Sequence, residues 1–84
     1  MHYVYVLKST VKANWLYVGR TDDLRNRFRR HNQGRVRSTK AYKPFVLVYY
    51  EAYNSKKDAI KREIELKKHC NKDILKIQIK YSAA

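Results

Sequence analysis

A chain of 84 residues is long enough for one small domain with a single modest core and excludes a second. A hydrophobic fraction of 44% with only two Gly and one Pro excludes a disordered chain, and the lone Cys70 excludes an internal disulfide. The net charge of +13 is concentrated, because no acid falls between Asp23 and Glu51 while Arg25, Arg27, Arg29, Arg30, Arg35, Arg37, Lys40 and Lys43 do, a stripe that suits a polyphosphate partner better than a membrane surface or an acidic protein.

His2 to Leu7, HYVYVL, is rich in Tyr and Val and apolar on both faces, which predicts a strand covered on both sides. The same N-terminus has no basic region followed by a long apolar run, and no window reaches the ~18 apolar residues of a membrane span, so a cytoplasmic address is expected. Ser9 to Asn14 is a polar connection, and Trp15 to Gly19 predicts a second short strand that forms a hairpin with the first. A helix is expected from Asp22, with Thr21 and Asp22 as capping residues, Asp23 complementing the dipole and Gly34 at C′. At about 100° per residue, Leu24, Arg27, Phe28 and His31 share one face of it, so two polar side chains stand where solvation alone would not place them. Arg35 to Lys43 reads as a basic loop, Pro44 suits an edge or first-residue position, and Phe45 to Tyr53 predicts a third strand. Asn54 or Ser55 then caps a second helix running to about His69, with Ala59, Ile60, Ile64, Leu66 and Cys70 on its inward arc. From Ile74 to Tyr81 strand alternation and a short helix capped by Asn71 fit equally well. No repeat or linker divides the chain, so residues 1–84 form one α/β (α+β) unit, a small, three-stranded, mostly antiparallel sheet flanked by helices.

Glu63 falls inside the inward arc of the second helix, whereas Lys61 and Glu65 fall outside it. A carboxylate there loses hydration and is therefore paired, bound to a metal or at the rim of a cleft; Arg27 is the candidate partner for a purely structural ion pair. Buried tyrosines pack with the hydroxyl reaching a partner, Cys70 reads as a small buried filler, and Gly19 marks a close backbone approach or a positive φ.

Tyr3-Val4-Tyr5, Tyr17-Val18-Gly19, then Thr21, Leu24, Arg27 and His31, and later Glu63 in AIKREIELKK, resemble in order and spacing the GIY-YIG nuclease superfamily. The likeness is greatest to its small stand-alone bacterial members, similar to the N-terminal nuclease domain found in the excinuclease ABC complex, and runs from Tyr3 to about Lys68. Two positions depart from the name motif: Tyr3-Val4 stands for Gly-Ile, and Val18 for Ile. Asn71 lies near a late supporting asparagine of some members, with helix capping its alternative role.

The resemblance implies hydrolysis of DNA phosphodiesters with low sequence specificity, in DNA repair or processing, with RNA a second possible substrate. It implies Arg27 on the non-bridging oxygens, Glu63 as the ligand of Mg²⁺ (or Mn²⁺), and Tyr5 or Tyr17 as the base made more acidic by neighbouring cations. His31 assists proton transfer, holds a phosphate or is a satisfied buried histidine. Arg20, Arg30, Arg35, Arg37, Lys40 and Lys43 are the expected contacts to backbone phosphates. No small-molecule cofactor is expected. The competing reading is a non-catalytic nucleic-acid-binding module on the same fold; a structural part of a ribonucleoprotein explains the charge but not the motif.

Overall fold

The chain opens with β1 (His2–Ser9), passes through an exposed loop and returns as β2 (Leu16–Thr21), followed by α1 (Leu24–Asn32), a 3-10 turn (Lys40–Tyr42), β3 (Phe45–Tyr53) and α2 (Lys56–Lys68). This computed structural model describes residues 1–68; the expectations for His69, Cys70, Asn71 and residues 74–81 lie outside the described residues. The sheet has the order β2-β1-β3 and is antiparallel throughout, where the sequence pattern predicts a mostly antiparallel one.

β1 is the central strand, and its side chains alternate between two covered faces. Val4 and Val6 join Val18 of β2 and pack on Ala59 and Leu66 of α2. Tyr5 and Leu7 point the other way and join Phe45 against Trp15, Tyr17, Leu24 and Phe28. Val4, Tyr5, Val6 and Leu7 are all fully buried, which explains the unbroken apolar run, since each such side chain contributes about 1.5–3 kcal/mol on burial. The β1–β3 register shifts between Val6 and Leu7, which leaves Val48 as an extra residue in a bulge.

Local chemistry sets the helix ends. α1 begins later than Asp22 because Asp23 is the N-cap: its carboxylate accepts the Asn26 N–H at 3.1 Å, while the Thr21 hydroxyl accepts the Asp23 N–H. At the other end Arg35 N–H donates to Arg30 C=O and Gly34 N–H to His31 C=O, with Gly34 at φ +73°, a C-terminal motif that favours glycine at C′ as expected. Asn32 ties this end to the sheet, its side-chain oxygen accepting the Phe45 N–H at 2.6 Å. Ser55, not Asn54, caps α2 through the Asp58 N–H.

One expectation for α2 fails. Ile64 is 53% exposed, because the inward direction is set by Ala59 and Leu66, and Ile64 lies about 140° around the helix from Ala59. The polar side of that inward line is instead joined to β3, where Arg62 Nε donates to Glu51 at 2.8 Å and the same carboxylate accepts the hydroxyls of Tyr49 and Tyr53. Burial pushes the Glu51 carboxyl up, but Arg62 and the two phenols outweigh it and hold it below the usual range.

Candidate active site

β1 and β2 bring Tyr5 opposite Gly19, and α1 crosses over the same face. The Tyr5 hydroxyl lies 2.8 Å from His31 Nε2, and His31 Nδ1 lies 2.8 Å from Thr39 Oγ1, so both ring nitrogens are engaged. Thr39 donates its own proton to the Val36 carbonyl; its oxygen therefore accepts from Nδ1–H, Nε2 is left as the acceptor, and Tyr5 is the donor to it. His31, Thr39 and Tyr5 are all fully buried. Burial, aided by the Arg27 charge, lowers the His31 pKa to about 4, which keeps the ring neutral at pH 7. The ring nitrogens of the buried His31 are thus occupied by the Tyr5 hydroxyl and by Thr39.

Burial likewise pushes Tyr5 up to about 12, although Arg27 pulls it down. The expectation that nearby cations make the tyrosine more acidic therefore fails for Tyr5, because desolvation outweighs the guanidinium. Tyr17 is half-buried, with its ring centroid 6.3 Å from that of Tyr5 and 5.2 Å from that of His31, and is the phenol of the pair that solvent reaches. Gly19 is required by close approach and not by its backbone angle. A Cβ there would stand 2.5 Å from Tyr5 Cζ and 2.8 Å from Tyr17 Cε2, and nearer still to the Tyr5 hydroxyl.

Arg27 enters from α1 and faces both phenols, which raise its pKa. Its Nε is buried and has no hydrogen-bond partner among the described residues. Glu63 comes from α2 and is near enough to Tyr5 to raise the tyrosine's pKa. It is not paired with Arg27. Its two oxygens face Arg20 Nε at 3.4 Å and Lys67 Nζ at 3.0 Å, with the carboxylate side chain 19% exposed. Tyr5, Tyr17, Arg27, His31 and Glu63 therefore converge around the β2 edge of the sheet, with Lys67 also 6.0 Å over the Tyr17 ring.

Arg30, Arg35, Arg37, Lys40 and Lys43 are exposed, whereas Arg20 is half-buried and joins the cluster through Glu63. The basic loop is anchored through Val36 and Thr39, both buried, which sequence reasoning passed over. The available signal was the β-branched pair Val36 and Thr39, three residues apart within the basic stretch RVRSTKAYK. Among the described residues no group of three or more His, Cys, Asp or Glu could hold a metal ion. The donor set fits Mg²⁺ nonetheless, since that ion keeps its waters and takes one or two carboxylates; Glu63 is one such carboxylate, held at a half-open position by cations that a divalent ion would displace.

Comparison with known proteins places the sequence in a family. The profile of the GIY-YIG catalytic domain matches residues 1–78. A UPF0213 protein of Staphylococcus haemolyticus is 42% identical over 77 residues, 90% of this chain and 92% of the relative. UPF0213 proteins of Staphylococcus saprophyticus and Staphylococcus aureus are 38% and 36% identical over the same shares of each chain. No solved structure matches the chain.

Proposed function

The chain belongs to the GIY-YIG family, and from that membership we propose that it is a metal-dependent endonuclease or nickase acting on DNA phosphodiester bonds with little sequence selectivity. The observation that carries the reading is the convergence of Arg27 and Glu63 beside Tyr5 and Tyr17, with a buried guanidinium nitrogen that has no partner among the described residues.

Attack on phosphorus builds negative charge on the non-bridging oxygens, and Arg27 offers them a planar, two-pronged donor in a partly desolvated site. Tyr17, the partly exposed member of the phenol pair, orients the attacking water. Tyr5 is spent on the hydrogen bond to His31 and acts as a positioning residue, holding the wall against which Tyr17 and Arg27 pack. Glu63 would hold Mg²⁺ or Mn²⁺, which when bound stabilises charge on the leaving oxygen. Arg30, Arg35, Arg37, Lys40 and Lys43 are a positioning surface for backbone phosphates that carries no sequence readout. DNA repair or processing in the cytoplasm is the setting this chemistry fits.

The test is a titration of Mg²⁺ and Mn²⁺ against labelled duplex, nicked, branched and single-stranded DNA and the matching RNAs. Metal-dependent nicking that disappears in Glu63→Ala and Arg27→Ala while binding persists is the expected result. Salt-sensitive binding without cleavage of any substrate would favour a non-catalytic binding module, and turnover unaffected by both substitutions would point to a contaminant.

A further inference from the structure

Between the first turn of α1 and the β3 edge of the sheet lies a groove of about 490 Å³, none of whose lining residues belongs to the catalytic cluster. We propose that it holds a single unpaired nucleobase of the strand that is cut, so that the substrate class is DNA with a bulged, gapped or single-stranded nucleotide beside the scissile bond. The inference rests on the nuclease reading above and deepens it by naming that class.

The floor and walls of the groove are apolar. Tyr3 lies two residues before Tyr5 on the same face of β1, Leu24 and Phe28 are i, i+4 neighbours on α1, and Leu47 and Tyr50 come from β3. Tyr3 and Tyr50 meet edge to face, with ring centroids 6.3 Å apart and planes at 61°. Tyr50 is 55% exposed, and Tyr3, Leu24, Phe28 and Leu47 beside it are only half-buried. Leaving contiguous aromatic and aliphatic surface in water is unfavourable, and a flat π-system in the groove covers it.

Charge decides which flat group fits. In a chain of net charge +13, this lining carries two acids, Asp22 and Asp23, against one cation, Arg25. Such a rim repels a phosphate. Asp23 is committed to capping α1 through Oδ1, but Asp22 is exposed and has no ion-pair partner among the described residues. A carboxylate with a guanidinium beside it matches the edge of guanine, which presents two adjacent N–H donors and a carbonyl. It mismatches thymine, whose single N–H stands between two carbonyls.

Position links the groove to the chemistry. Asp22 is also a wall of the neighbouring hollow lined by Arg27, and Leu24 precedes Arg27 by less than one turn of α1. A base seated in the groove therefore belongs to a nucleotide beside the phosphate that meets Arg27. In a duplex both faces of a base are stacked and its Watson–Crick edge is paired, so only an unpaired or extruded base can enter.

The test uses the full-length protein in EDTA, so that binding is read without cleavage. Fluorescence anisotropy follows labelled duplexes that are fully paired or carry one unpaired guanine or thymine. The duplex with unpaired guanine should bind about tenfold tighter than the paired one, with thymine between them. Tyr50→Ala should abolish that advantage and Tyr50→Phe keep it, while Asp22→Asn should bring guanine and thymine level. Both positions are exposed, so the variants keep the fold, which thermal melts verify. Equal affinity for paired and unpaired duplexes, or an advantage that survives Tyr50→Ala, overturns the proposal and leaves the groove to a protein partner or a second copy of the chain. Cleavage is then measured with Mg²⁺ on the same duplexes. Metal-dependent cleavage indifferent to the unpaired base leaves the nuclease reading standing without the base site, and the binding preference without cleavage of any substrate leaves the base site standing without the nuclease.

Discussion

Lowering the pH from 7.5 to 4.5 should destabilise the fold through His31 specifically. In an unfolded chain His31 titrates near its ordinary value of 6.5, whereas burial holds it at about 4 in the folded protein. Below pH 6.5 the unfolded state therefore binds a proton that the folded state refuses, so stability is complete above that value and falls as the pH drops toward 4. The full gap corresponds to about 3 kcal/mol, of which about 2.5 kcal/mol is lost by pH 4.5. That is a large part of the ~5–10 kcal/mol expected of a domain this size. The cost is steep because protonation of Nε2 removes the acceptor for the Tyr5 hydroxyl and leaves a charge among fully buried groups beside Arg27. Urea unfolding at several pH values, for the protein and for His31→Gln, isolates the contribution, since carboxylates and the other histidines titrate in both. The acid-induced loss should be about 2–3 kcal/mol greater in the protein than in the variant. Equal pH dependence of the two, or an NMR titration of His31 near 6.5, would refute the reasoning.

Gly19→Ala should lower the melting temperature by roughly 10 °C or more, because overpacking costs about 1–3 kcal/mol and displacing the buried Tyr5 hydroxyl from His31 adds a similar amount; a thermal melt within 2 °C of the parent, by roughly the precision of such scans, would contradict the packing described. Thr39→Val should cost about 1–3 kcal/mol by orphaning His31 Nδ1–H, and in an active enzyme should alter the pH–rate profile, while Thr39→Ser retains both properties. Stability and pH profile both unchanged in the valine variant would remove Thr39 from the account.

The parts of this molecule that are legible in its sequence are those set by local pattern. A run of β-branched and aromatic residues after Pro44 predicts β3 at its observed boundaries, a glycine after a basic turn marks the end of α1, and a shared helical face singles out Arg27 and His31. Glu63 is legible as a carboxylate short of water, and Lys67 is its i+4 neighbour on the same helix, but its tertiary partner is not legible. Arg20 reaches it because α2 lies against β2, a fact that no wheel contains, whereas Arg27 stays with the phenols. The same blindness applies to Thr39, which sits in a turn whose value comes from touching a histidine eight residues earlier. Ile64 misleads for a related reason: apolar character assigns it inward, while the direction of the core is fixed by Ala59 and Leu66.

The central claim is that Arg27 and Glu63 serve one phosphate as one unit. Single-turnover cleavage of a labelled DNA by the protein, Arg27→Ala, Glu63→Ala and the double variant tests it most directly, with substrate binding measured in parallel. The account predicts that each single substitution removes most of the rate and that the double variant is little worse than the poorer single. Losses that multiply independently, or a rate that survives both changes, would contradict it.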